Sequence, residues 1–247
     1  MRKNWKKYGM TILTTLFLCL LISGTAGAAV QYPKTKYVYM NGKATEWYSD
    51  SIEVGGLPVG LSISKASIKS SAPSSMRPTS IYRNTWINYD SDGKGSMEET
   101  DTISIGYRRP GSYKLSFKIG KKTYTTTVKV VRYVNPISQM TITGIRNGSS
   151  TNLAGRTARD CNYGKKLKVT KMQKNTVLKV KAASGWRIES VSYSNEKENI
   201  SKYYSSRGDS SVALPLGTLR TNSDAYIFVN MENRQNGGRL SCWYILQ

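Results

Sequence analysis

The sequence predicts an all-β protein of two tandem β-sandwich domains, and three observations lead there. Apolar and polar residues alternate along several segments. In Gly111 to Ile119, Tyr113, Leu115, Phe117 and Ile119 share one face, and Ser112, Lys114, Ser116 and Lys118 share the other. Clusters of Gly, Asn, Ser and Lys punctuate such segments at short intervals. Nothing of helical period extends over three turns. With 247 residues, 38% hydrophobic and 10% aromatic, the chain is too apolar to be disordered and long enough for each half to bury a core.

Taken in order, residues 1–28 read as a secretory signal peptide. Arg2, Lys3, Lys6 and Lys7 lead an uncharged apolar run from Met10 to Ile22, and Ala26 and Ala28 form an A-x-A cleavage pattern. The alternative is a retained anchor, but Thr11, Thr14, Thr15, Ser23 and Thr25 dilute the run. Cys19 would leave with the signal. Cleavage removes four basic and no acidic residues from a formal charge of +22, leaving +18. No second run of spanning length follows, so the expected location is extracellular, free or associated with the cell wall.

The N-terminal domain is expected over 29–134. Thr79 to Tyr89 alternates, with Ile81, Arg83, Thr85, Ile87 and Tyr89 on one face and Tyr82, Asn84, Trp86 and Asn88 on the other. Asp101 to Tyr107 is a further strand, closed by Arg109-Pro110-Gly111. Gly111 to Ile119 turns at Gly120-Lys121-Lys122 into a return strand from Thr123 to Val134, rich in Thr, Val and Tyr. Asn135-Pro136 marks the boundary to a C-terminal domain over 135–247, which begins with the apolar segment Met140 to Ile145. Its candidate strands are Lys166 to Thr170, Thr176 to Ala182, Trp186 to Tyr193, Ser211 to Leu214, Ala225 to Met231 and Arg239 to Leu246.

The hairpin Gly111 to Ile119 and Lys122 to Val130 resembles the closing hairpin of bacterial immunoglobulin-like domains. Val177 to Ile188, with its Gly185-Trp186 step, and Asp224 to Asn230 are similar to segments of divergent internalin-type surface repeats. The resemblance covers about a third of the chain after the signal. It implies two immunoglobulin-like sandwiches of an exported Gram-positive surface protein, and it brings no catalytic residues with it.

Charge is the strongest functional signal, with 37 Lys and Arg against 15 Asp and Glu. Lys165, Lys166, Lys168, Lys171, Lys174, Lys179 and Lys181 fall within seventeen residues that contain no acid. Lys166 with Lys168, and Lys179 with Lys181, share strand faces, so the two rows are expected to merge into one electropositive sheet surface. Arg108, Arg109, Lys114, Lys118, Lys121 and Lys122 form a second group around the first domain's hairpin. Such charge suits an anionic polymer as partner, teichoic acid or an acidic glycan. Alternatively it serves only solubility, and the chain docks another envelope protein. Nucleic acid is not the expected ligand, because the chain is exported and carries no nucleic-acid motif.

The remaining motifs point to structure before chemistry. The absence of histidine excludes Ser-His-Asp and Cys-His catalysis and imidazole metal ligands. Ser62-Ile-Ser-Lys65 has Ser-Lys hydrolase spacing in a strand-like context, and no other catalytic constellation or cofactor motif is present, so no enzyme and no cofactor are expected. Asp90, Asp92, Glu98 and Asp101 approach a calcium loop, but Lys94 stands where an oxygen ligand is needed, and the run reads as a polar hairpin loop. Arg207-Gly208-Asp209 matches the integrin tripeptide and is either an adhesion loop or an ordinary turn. Cys161 and Cys242 are a candidate disulfide, or two buried thiols. Trp86 and Trp186 lie within strands and are expected to fill sandwich cores.

Overall fold

The computed structural model describes residues 29–40, 46–57, 60–89, 91–146, 148–154, 165–206, 208–221 and 224–247. The signal segment, Asp90, Cys161 and Arg207 lie outside the described residues. The fold is all-β, with a single short 3-10 turn at Lys65–Ser67 among the described residues. No helix there is long and apolar enough to cross a membrane.

Seven strands build the N-terminal sandwich: β1 (Thr35–Met40), β2 (Tyr48–Val54), β3 (Lys69–Ser70), β4 (Met76–Tyr89), β5 (Gly95–Tyr107), β6 (Gly111–Ile119) and β7 (Lys122–Arg132). One sheet has the order β1-β7-β6-β3 and the other β2-β5-β4. β1 runs parallel to β7, and the other pairs are antiparallel. The alternation of β6 is realised as read: Tyr113, Leu115, Phe117 and Ile119 are buried against Ile52, Ile103 and Ile105 of the facing sheet. Burial of each such side chain stabilises the fold by roughly 1.5–3 kcal/mol.

Eight strands build the C-terminal sandwich: β8 (Ile137–Ile142), β9 (Lys165–Leu167), β10 (Gln173–Ala182), β11 (Trp186–Asn195), β12 (Ile200–Ser205), β13 (Ser211–Leu219), β14 (Ala225–Asn233) and β15 (Arg239–Leu246). They form the sheets β13-β10-β8 and β12-β11-β14-β15-β9, with β9 parallel to β15. Leu178, Val180, Ile188, Tyr193, Val229 and Tyr244 are among the side chains closing this core. The strand read as ending at Leu214 continues through Pro215 to Leu219. This is possible because β13 is a sheet edge, where a missing N–H leaves no ladder bond unmade.

Trp86 corrects the sequence reading. Trp186 is buried as expected, but Trp86 is 60% exposed. β2 pairs with β5 only from Asp101 to Tyr107, so Gly95–Thr100 of β5 pairs with β4 alone. The distal parts of β4 and β5 thus form a two-stranded ribbon beyond the core, and Trp86 stands on it opposite Glu98.

The two sandwiches are joined by a packed seam. Tyr39 of β1 belongs to the C-terminal core: its ring lies 5.4 Å from that of Trp186, and its hydroxyl donates to Asn236 Oδ1 at 3.3 Å. Tyr107 donates to the Tyr39 carbonyl at 3.1 Å from the other side. Gly238, after the β14–β15 turn, lets β1 approach: a Cβ there would meet the Tyr39 hydroxyl at 2.6 Å and Tyr37 Cβ at 2.9 Å. The second contact is close to backbone and cannot swing away. Gly238→Ala is therefore expected to part the seam and uncouple the sandwiches, splitting one calorimetric transition into two. A single unchanged transition would show that the close approach is unimportant.

Burial raises the Tyr107 hydroxyl pKa well above its ordinary value, with Asp50 and Tyr48 adding to the effect. Tyr39 is raised in the same direction, mainly by burial. A raised pKa gives stability that is fully present below the unfolded value, about 10 for tyrosine, and lost as pH climbs toward the folded value. Stability should thus decline above about pH 10, and the Tyr107→Phe variant should decline less steeply. Denaturant titration across that range measures both slopes.

Candidate polyanion-binding site

The lysine rows do not merge into one sheet surface. β9 is the edge of the five-stranded sheet and β10 is the centre of the three-stranded one, so the rows stand on different layers of the sandwich. In β9 and its continuation, Leu167 and Val169 enter the core and Lys166 and Lys168 face solvent, with Lys165 half-buried. In β10, Leu178 and Val180 enter the core from the other side and leave Lys179 and Lys181 outside. Lys171 and Lys174, on the connection and at the start of β10, are exposed.

What connects the rows is the turn after β8. Gly144, at φ +78°, turns the chain so that Ile145 is buried and Arg146 is left at the surface. Arg146 lines a hollow of about 710 Å³ together with Lys166, Lys168 and Lys171, over a floor that includes Gly148, Thr170 and Gln173. Across Gly144, Arg146 also lines a smaller hollow of about 270 Å³ with Thr141, Thr143, Thr151 and Lys179. A cationic track thus runs from Lys171 past Arg146 to Lys179. No carboxylate among the described residues lines either hollow, and none of these five cations is in an ion pair there. By contrast, Arg83, Arg187 and Arg239 each have a carboxylate partner. The track can hold an extended anion by hydrogen-bonded charge pairs along its length. Lys174 and Lys181 line neither hollow. Arg146 is a site residue that the charge count along the sequence passed over.

The other candidate residues fall elsewhere. Glu98 and Asp101 are three apart on β5 and project to opposite faces, so they cannot close on one ion. Asp101 is buried and engaged by Arg83 Nε at 2.8 Å and by the Ile63 N–H at 2.7 Å. Asp92 lies in the exposed β4–β5 turn. Among the described residues no group of acids or thiols has metal-site geometry. Gly208 and Asp209 form a tied loop: the Asp209 carboxylate accepts from the Tyr204 and Ser206 hydroxyls, both at 3.0 Å, and the Gly208 carbonyl accepts from Arg234 at 3.0 Å. Cys242 is buried on the core face of β15 beside Val229, and Cys161 is outside the described residues. Ser62 and Lys65 are both exposed, on either side of buried Ile63.

No family model matches the chain, and no curated protein matches it. Among solved structures it is similar to domains 4–9 of the surface layer protein SbsC, at 14% identity and a TM-score of 0.29 over 89% of this chain and 31% of that one. It is similar to domains 5–6 of S-layer protein SbsC, at 15% identity and a TM-score of 0.28 over 89% of this chain and 97% of that one. A chimeric titin Z1Z2 tandem is similar at 11% identity and a TM-score of 0.23, over 88% and 97% of the two chains. The chain spans less than a third of the length of the six-domain SbsC fragment.

Proposed function

We propose that this chain is an exported binding protein without catalytic activity, and that its C-terminal sandwich holds an anionic polymer, teichoic acid or an acidic glycan. The observation that carries this reading is the hollow lined by Arg146, Lys166, Lys168 and Lys171 with no carboxylate among its described residues. A cation paired within the fold gains little by meeting an external anion, whereas these four have no carboxylate partner among the described residues to give up. The A-x-A signal pattern and the resemblance of the Gly111 to Val130 hairpin to bacterial immunoglobulin-like domains support placing the protein at the cell surface.

The test is binding to teichoic acid, heparin-like glycan, a neutral glycan and DNA over a range of salt. Four contacts predict a slope of log affinity on log salt near −3, so a fourfold rise in salt should weaken binding roughly 50-fold. Preference for one of the first two polymers over DNA is the expected result. Equal binding to every polyanion, lost together as salt rises, would reduce the surface to generic charge.

A further inference from the structure

The outer edge of β4 offers a second interaction surface, independent of the cationic track. β4 is the longest edge strand described, with 14 residues, and among the described residues its backbone pairs from Thr79 to Tyr89 only with β5. Several other edges carry the usual guards against strand addition: Lys69 on the two-residue β3, Pro215 in β13, Lys202 in β12, and Lys165 and Lys166 on the three-residue β9. In β4 such guards sit at one end only, as Pro78 and the irregular register between Pro78 and Ser80. From Ser80 to Tyr89 there is no proline, lysine or bulge, and the one charge, Arg83, is neutralised within its own chain by Asp101 and Glu99. This stretch also carries apolar side chains toward solvent: Tyr82 is 49% exposed, Trp86 60% and Ile87 57%, with Met97 beside Ile87 at 70%.

The pattern of this edge names its occupant. Read outward from Asn84, Ser80-Ile-Tyr-Arg-Asn84-Thr-Trp-Ile-Asn88 has the same character in both directions. We infer that β4 pairs antiparallel with β4 of a second copy of this chain, across a two-fold axis through Asn84. In that register Tyr82 faces the other copy's Trp86, Ile81 faces its Ile87, and Arg83 faces its Thr85. Every exposed apolar group meets an apolar group, and no like charges stand opposite each other. Ile81 already packs at the rim of the N-terminal core, so Ile87 of the second copy would extend that rim. A one-residue shift breaks the match, because it sets Tyr82 against Thr85 and Trp86 against Ile81. The isologous contact joins two three-stranded sheets into one of six strands.

Sedimentation of the purified chain, without polyanion and at moderate salt, tests the inference. A dimer should form by about 100 µM, as befits a small interface. Asn84→Lys sets two ammonium groups face to face on the axis and should weaken association at least tenfold, and Ile87→Lys should do the same, with far-ultraviolet dichroism unchanged because both positions lie outside the core. Asn84→Cys should cross-link between copies, since residues facing across an axis have Cα atoms about 4.5–5.5 Å apart. Tyr82→Cys alone should not cross-link more than the unaltered chain, because its two copies stand about 14 Å apart in this register. A chain that stays monomeric at that concentration, or a dimer indifferent to both lysine variants, overturns the proposal.

Discussion

Replacing Asp101 with alanine is expected to lower the melting temperature of the protein by on the order of 10 °C. Asp101 is 2% exposed and holds two groups at once: Arg83, through Nε at 2.8 Å, and the backbone N–H of Ile63 at 2.7 Å. Arg83 in turn reaches Glu99 at 2.8 Å and the Leu61 carbonyl at 2.6 Å, so one guanidinium ties β4 and β5 to the segment around Ile63. The Asp101 hydrogen bond raises the Arg83 pKa against the effect of desolvation, so the guanidinium stays charged. Removing the carboxylate leaves a partly buried cation short of a partner and an unmet N–H, a loss of about 3–5 kcal/mol. Asp101→Asn keeps an acceptor for Ile63 and should cost less. Replacing Arg83 and Asp101 together by apolar residues of similar volume should recover most of the loss, because the desolvation penalty of both charges disappears with them. Calorimetry of the four proteins decides the matter. A shift of only a few degrees for Asp101→Ala would mean that solvent reaches the site and screens the pair.

The second large effect is expected in binding. Reversing Arg146, Lys166, Lys168 and Lys171 to Glu should remove essentially all affinity for the anionic polymer and flatten its salt dependence, a loss of at least 50-fold at low salt. Reversing Lys174 and Lys181 changes the net charge by half as much. Those two lysines line neither hollow, so the effect should be a few-fold, as expected from the overall field alone. The contrast separates a shaped track from a diffuse positive surface. All of these side chains are at the surface, so the folded state should be unaffected, and circular dichroism provides the check. If binding falls in proportion to net charge regardless of position, the track has no special role.

Much of the β framework is written in short-range pattern. The β6–β7 hairpin and β15 are legible in the alternation of their residues, because each buries one face more deeply than the other, which is exposed or half-buried. β12 has no clear pattern in the sequence because it alternates only between half-buried and exposed, as an edge strand with no fully buried face. Trp86 shows a different limit. Period two says which residues share a face, but not where the neighbouring strand stops, and β2 stops opposite Asp101. The cationic site was legible only in part. Its lysines stand out as a run without acids, but their division between two sheets depends on long-range pairing of β9 with β15 and of β10 with β8 and β13. Arg146 lies about twenty residues upstream in a Gly-flanked turn, and only the fold brings it to Lys166 and Lys168. A hint was available in the sequence: Gly144 and Gly148 bracket Arg146, as glycines do where a turn must present one side chain.

The parallel pairing of β1 with β7 bears on how the N-terminal sandwich would respond to a pull along the chain. Six residue pairs, from Thr35 with Thr127 to Met40 with Arg132, lie side by side in the same direction. Tension enters β1 at its beginning and leaves β7 at its end, where the chain passes to the second sandwich. The two strands are therefore dragged lengthwise past each other, and the bonds between them share the load and must give way together. Antiparallel neighbours pulled from adjacent ends would peel apart one bond at a time. The first sandwich is thus built to resist stretching between its two ends.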